Sequence, residues 1–335
     1  MKLLGGALVV TAAVLVAGCG SGSGGPSIVL YNGQHLELTR AVVAAFEQQT
    51  GISVRMRTND GVVLADQILQ EGHSSPADVY LTENSPELMN LEEHGLLAKL
   101  SPSILRQVPE RDSSPAGDWV GVAFRVRSLV YDPSRLATSK LPRSILDLAE
   151  PQWQGKVAIA PLDSDFPPLV GALINTRGVK AATAWLAGLK RNAAIYQNEE
   201  SVVAAVNRGD VAVGVINSYY WYRLRFEVGV SGMHSALYYF PGGDAGSVVN
   251  ISGAAVLASS SHYPEAARFV EFLVSRSGQR LISQGDDFEY PARPGVAANS
   301  ALPRLGHVAH TSLSIAALGD DKQAAQLVAN TGFVS

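Results

Sequence analysis

Short apolar runs alternate with segments of helical periodicity along almost the whole chain, and this alternation limits the fold more than any other feature. Residues 27–31 (SIVLY) form a β-rich run that breaks at Asn32-Gly33. The next segment, 36–50, places Leu38, Val42, Ala45 and Phe46 on one helical face. Gly51 suits the end of that helix, and Ile52, Val54 and Met56 then alternate with Ser53, Arg55 and Arg57 as a half-buried strand. That is one βαβ unit. A second helix is expected over 62–70 with Gly72 after it, a strand over 77–81 (ADVYL), and a helix opened by Ser85-Pro86 and closed by Gly95.

The theme repeats downstream. Residues 128–131, 156–160, 211–216 and 253–257 read as strands, and 181–189, 202–206 and 263–275 as helices, with an aromatic-rich helix start after Ile216. The expectation is an α/β fold with a largely parallel sheet. A length of 335 residues, at roughly 150 per domain, makes that two lobes. With 47% hydrophobic and 17% charged residues, most of the chain has enough apolar surface to pack. A formal charge of −4 argues against a broad nucleic-acid or anionic-membrane face.

The single cysteine, Cys19, excludes an internal disulfide, a CxxC redox or zinc-finger site and a cysteine-ligated iron-sulfur cluster. Its position is informative. Lys2 precedes an apolar run over 3–17 that is short for a membrane span, and the run ends in Val16-Ala17-Gly18-Cys19, which resembles a bacterial lipobox. The expectation is a lipoprotein signal peptide over 1–18, lipid on Cys19, and a flexible Gly/Ser tether over 19–26.

In open α/β sheets, ligands bind beyond the carboxyl ends of the strands. Those places hold His35 after the first strand, Glu83 and Asn84 after 77–81, and Asp163, Ser164 and Asp165 after 156–160. After 211–216 come Asn217, Ser218, Tyr219, Tyr220, Trp221 and Tyr222. Neighbouring helical residues point about 100° apart, so these aromatics are not expected all to be core. Two uses remain open for them: phenolate oxygens for a hard cation such as Fe(III), or an aromatic platform for an organic ligand. His35 reads as a neutral ligand or, as a single histidine more often is, a surface or capping residue, and Glu83, Asp163 and Asp165 as ligands or as carboxylates favoured at helix starts. The remaining histidines show no metal-ligand spacing and are expected to be solvated.

Several motifs then carry a family resemblance. YNGQH (31–35), FEQQTGI (46–52), PADVYLTEN (76–84), EEHGLLA (92–98), LVYD (129–132), PQWQGKVAIAP (151–161), INSYYWYRL (216–224) and SGAAVL (252–257) resemble the bacterial ferric-ion-binding proteins, solute-binding components of iron ABC importers. The resemblance implies a type II periplasmic-binding-protein fold, two α/β lobes joined by two crossing strands around an interlobe ligand cleft. Lobe 1 would comprise 27–125 and 250–300, and lobe 2 would comprise 126–249 and 301–335. It further implies Fe(III) held by His35, Glu83, Tyr219 and Tyr220, with water or an outside anion completing the shell. Asn84, Arg125, Asp163, Ser164, Asp165 and Asn217 would stand around the anion, and Arg127 near the cleft. The implied protein is an extracytoplasmic, lipid-anchored monomer that takes ferric iron or a ferric chelate, hands it to an ABC permease, and has neither enzymatic activity nor a nucleic-acid partner.

The sequence departs from the family at one place. Asp163-Ser164-Asp165 stands where phosphate-bearing members have a loop of small residues, and two carboxylates would repel a phosphate at close range. Arg125 compensates, or the anion is absent, or one aspartate takes its place. Two alternatives come from other ligand and reaction classes. An organic solute (a phosphonate, a polyamine or a thiamine-like molecule) would stack on the aromatic cluster. A hydrolase would need a nucleophile or metal motif, and the chain has no GxSxG, HExxH or P-loop pattern.

Overall fold

The structure, a computed structural model, describes residues 25–308 and 321–333. The signal-like segment, Cys19 and most of the tether lie outside the described residues, as does His310. Ten strands are present among the described residues: β1 (Ser27–Gly33), β2 (Ser53–Thr58), β3 (Val79–Thr82), β4 (Trp119–Tyr131), β5 (Val157–Ile159), β6 (Ala193–Ile195), β7 (Val213–Asn217), β8 (Ala236–Tyr238), β9 (Val249–Val256) and β10 (Tyr290–Pro291). They run in the order β2-β1-β3-β9-β4-β7-β5-β6, with β8 and β10 also on β4.

The expectation of a largely parallel sheet is corrected here. The two wings are parallel, β1 with β2 and β3, and β5 with β6 and β7. The centre is antiparallel, because β9 runs against both β3 and β4, and β4 runs against β7. The cause is β4, which belongs to both wings. Its first part, from Trp119 to Val126, pairs with β9, and its last part, from Arg127 to Tyr131, pairs with β7. Only the tail of this strand was apparent as 128–131, since Arg125 and Arg127 interrupt the apolar run although both are buried. Its register with β9 shifts between Gly121 and Ala123.

Each wing has its own core. In the first lobe, helix Leu36–Thr50 buries Leu38, Val42 and Phe46, and the Phe46 ring meets Phe269 of helix Tyr263–Val274 edge-on at 5.0 Å. Each such buried phenylalanine contributes about 2 kcal/mol through the area it removes from water. Gly51 ends the first helix in the left-handed region, φ 70°, returning its N–H to the Glu47 carbonyl. In the second lobe, Phe166 stacks on Trp185 at 5.9 Å, joining helices Phe166–Arg177 and Val179–Asn192, and helix Lys322–Thr331 packs against both. Among the described residues no helix is long and apolar enough to cross a membrane.

This arrangement delivers the junctions of both wings to one place. β1, β3, β5 and β7 all end at the seam between the lobes, and the middle of β4 passes through it.

Candidate metal centre

His35 precedes helix Leu36–Thr50 as its N-cap but makes no side-chain capping bond. Its imidazole turns to the seam instead. Nδ1 lies 3.1 Å from Glu83 Oε1, and the ring meets Tyr219 edge to face with centroids 5.0 Å apart. Tyr219 and Tyr220 begin helix Ser218–Val228 directly after β7, and their rings overlap at 4.0 Å. A histidine and a glutamate from one lobe therefore face two phenols from the other.

Arg125 holds this group together from the crossing strand. Its Nη1 donates to Glu83 Oε2 at 2.8 Å, and Nη2 donates to the Glu83 carbonyl and, at 3.0 Å, to Asn84 Oδ1. Two more carboxylates flank the guanidinium, Glu289 at 3.5 Å and Asp165 at 3.6 Å, and its carbon lies 5.9 Å from the centre of the Tyr219 ring. Asn250 on the second crossing strand donates to Asn84 Oδ1. Gln34 donates to Glu289 at 3.3 Å, and Glu289 comes within 4.0 Å of His35 Nε2.

On the second lobe, Tyr219 Oη donates to Asp165 Oδ2 at 3.3 Å. Asp165 is the N-cap of helix Phe166–Arg177, again without a side-chain capping bond. Arg127 donates to the Asp165 carbonyl and pairs with buried Glu199, which accepts the Asn217 N–H at 2.6 Å. Asp163 sits one layer out, accepting the N–H groups of Asp165 and Glu199, each at 3.1 Å. Ser164 does not enter the cluster; it lines an outer cleft of about 920 Å³ together with Val62, Pro86, Leu162 and Phe333.

The protonation states follow from burial. Removal from water, reinforced by the Arg125 charge, pushes the His35 pKa down to about 3, so the imidazole is neutral at neutral pH. Its Nε2 is buried without a hydrogen-bond partner. Burial raises both phenols well above the usual tyrosine range; Tyr220 and Asp165 add to this at Tyr219, and Asp165 and Asp163 add to it at Tyr220. Burial also raises Glu83, against the pull of Arg125. Asp163 is pushed up to about 6 by burial and by Asp165. Burial opposes ionisation of Asp165 as well, but Arg125 and Arg127 hold its carboxyl below the ordinary aspartate value. A hard cation binds two neutral phenols by displacing their protons, and a neutral imidazole through its unprotonated nitrogen with no proton to displace. No group of three or more His, Cys, Asp or Glu among the described residues is arranged to hold a metal alone, so a cation here would depend on the phenol oxygens.

Two expectations change. Tyr219, Tyr220 and Tyr222 are all buried, although helical spacing argues against a common core. They are covered from different sides: Tyr219 by His35 and Arg125, and Tyr222 by Phe288 at 5.8 Å. Asp163 and Asp165, alike in sequence, divide between the outer layer and the cluster. Glu289, Glu199 and Asn250 went unnoticed in the sequence. Glu289 lies in a loop with no motif spacing, beside Phe288, whose φ of 51° is rare for a bulky residue. Among the described residues, the other histidines are exposed, as expected.

Comparison with known proteins gives a consistent picture. A family of bacterial extracellular solute-binding proteins matches residues 74–306. A Serratia marcescens protein named Fe(3+)-binding periplasmic protein is 37% identical, covering 98% of this chain and 97% of its own. The major ferric iron-binding protein of Neisseria meningitidis serogroup B is 36% identical, covering 91% and 93%. Among solved structures, iron-bound HitA from Pseudomonas aeruginosa superposes with a TM-score of 0.88 at 41% identity, covering 92% of this chain and all of that one.

Proposed function

The chain belongs to the bacterial extracellular solute-binding proteins, in the ferric-ion-binding group that its motifs resemble, and from that premise we propose that it captures Fe(III) at the seam between its lobes and delivers it to an ABC permease. It is a binding protein and not an enzyme. The observation that carries the reading is the meeting of His35 and Glu83 from one lobe with Tyr219 and Tyr220 from the other.

In this reading Fe(III) is cargo. Tyr219 and Tyr220 release their phenol protons to solvent as they bind it and, with Glu83, supply three negative charges against a trivalent ion; His35 supplies a neutral nitrogen. Because the four groups divide between lobes, the ion binds the closed arrangement better than an open one and selects it, and reopening releases it. The lobes of this reading are 27–125 with 250–300 and 126–249 with 301–335. The same reading makes the protein a monomer tethered outside the cytoplasmic membrane through lipid on Cys19. The organic-solute alternative needs an open stacking face. Tyr219, Tyr220 and Tyr222 are buried and do not line the outer cleft, so they offer no such face there.

The test is a visible absorption titration of the fragment starting at Gly20 with chelated Fe(III), beside Tyr219→Phe and Tyr220→Phe. A charge-transfer band that saturates near one iron per chain, and is lost in both variants, supports the site. A colourless protein sinks it.

A further inference from the structure

Glu199 stands behind the four candidate ligands, in the second lobe. It opens helix Glu199–Arg208, where an acidic side chain ordinarily faces water, yet it is only 1% exposed. Both of its carboxylate oxygens are engaged. Oε1 accepts from Arg127 Nη1, and Oε2 accepts the N–H of Asn217 at 2.6 Å. Burying a carboxylate is costly unless it is paired and hydrogen-bonded, and this one is both.

The two partners set the path of the chain beside the phenols. Asn217 ends β7 and is the N-cap residue of the helix that carries Tyr219 and Tyr220, without a side-chain capping bond. Besides its pairing with Arg127 across β7 and β4, this turn is anchored by the Glu199 carboxylate, two residues before Tyr219. Arg127 reaches a second junction. Its Nη2 donates to the carbonyl of Asp165 at the start of helix Phe166–Arg177, and Asp165 Oδ2 accepts the Tyr219 hydroxyl at 3.3 Å. One ion pair thus ties the junction after β5 to the junction after β7. Arg125, two residues earlier on β4 and so on the same face of the strand, holds Glu83 of the other lobe in the corresponding way.

We propose that Glu199 is a positioning residue for the ferric cargo: paired with Arg127, it fixes the backbone from which Tyr219 and Tyr220 reach the seam. It acts through Asn217 and Arg127 and is not itself a ligand. This rests on the ferric reading, and the experiment separates the two.

Native protein, Glu199→Gln, Glu199→Ala and a control, Leu186→Ala, are loaded from ferric nitrilotriacetate. The control opens a cavity in the core of the same lobe, on helix Val179–Asn192, which carries none of the site residues. Band position, iron retention against citrate and urea midpoint are measured for each. In Glu199→Ala the band is expected to move and iron retention to fall by about tenfold or more. Glu199→Gln offers one acceptor oxygen to two donors, so it is expected between Glu199→Ala and native protein in both readouts. Leu186→Ala is expected to lose stability while keeping the native band and retention. Retention that falls with an unmoved band overturns the inference, because the phenolates would then meet iron as they do in native protein. A band that moves as far in Leu186→Ala overturns it too, since the band would then follow stability alone. Should Glu199→Ala fail to fold, Glu199→Gln decides on the same two readouts. Glu199 variants that behave as native, beside native protein with its band, sink this inference and leave the ferric site intact. Native protein without a band sinks both.

Discussion

The imidazole of His35 and the ring of Tyr219 meet edge to face, 5.0 Å between centroids, although the first begins a helix in one lobe and the second begins a helix in the other. This contact lies across the seam, and Glu83 Oε1 braces the imidazole at Nδ1, 3.1 Å away. Replacing His35 with alanine therefore removes both a donor and a contact that favours closure. His35→Ala is expected to keep the visible band, which arises from the phenolates, and to weaken iron retention by at least about 10- to 100-fold, the loss already typical when only a partner of a metal ligand is removed. Competition against citrate measures it. A band lost as completely as in the tyrosine variants would show that the phenolates do not hold iron without the imidazole.

Arg125 is the one cation within reach of Glu83, Asp165 and Glu289 among the ion pairs of the described residues. Arg125→Met leaves these buried carboxylates uncompensated, and the folded protein should lose about 3–5 kcal/mol. The loss should shrink as pH falls and the carboxylates take up protons. Urea unfolding at two pH values checks both parts; a change under about 1 kcal/mol would mean that the carboxylates are neutral without help.

Glu87 provides a pH-dependent term away from the ligands. Burial pushes its carboxyl up to about 8, against the Thr82 hydroxyl, which donates to it at 2.8 Å. The folded state thus keeps a proton that the unfolded state releases near its ordinary value of 4.5. The contribution is fully present below that value and is lost as pH rises toward 8, at about 1.4 kcal/mol per pH unit. Glu87→Gln should flatten the fall of stability with pH by about one proton. Equal slopes for native protein and variant between pH 5.5 and 7.5 would refute the assignment.

Gly121 lies where the register of β4 shifts against β9, and a Cβ there would collide with the Asp112 carbonyl and the Ile251 side chain. The carbonyl is backbone and has little room to give. Gly121→Ala should cost about 1–3 kcal/mol, seen as a lower urea midpoint with an unchanged slope. Because β4 spans both wings, the same variant is expected to lower iron retention; full stability would show that the crossing strand has slack.

The order of strands and helices was legible from local patterns, because apolar spacing and Gly, Pro and Asn breaks act over a few residues. The Ser85-Pro86 start, the Gly51 stop and the aromatic helix after Ile216 all appear where those signals stand. So did the residues at the strand ends, since the position after a parallel strand is itself a local property. The long crossing strand was less visible: Arg125 and Arg127 look like surface residues in sequence and are buried only because carboxylates from distant segments meet them.

Sequence alone therefore determined which residues stand at the four junctions: His35, Glu83 with Asn84, Asp163 to Asp165, and Asn217 to Tyr222. It did not determine which of them meet. That was decided by the antiparallel passage of β4 and β9 between the wings, which brings Arg125 among three carboxylates and Glu289 beside His35. The same passage separates Asp165, against Tyr219, from Asp163 one layer out. The physical reason is range. Helix and strand periodicity is set by neighbours a few residues apart, whereas burial, charge pairing and side-chain hydrogen bonding depend on distant segments, 255 residues apart in the hydrogen bond from Gln34 to Glu289.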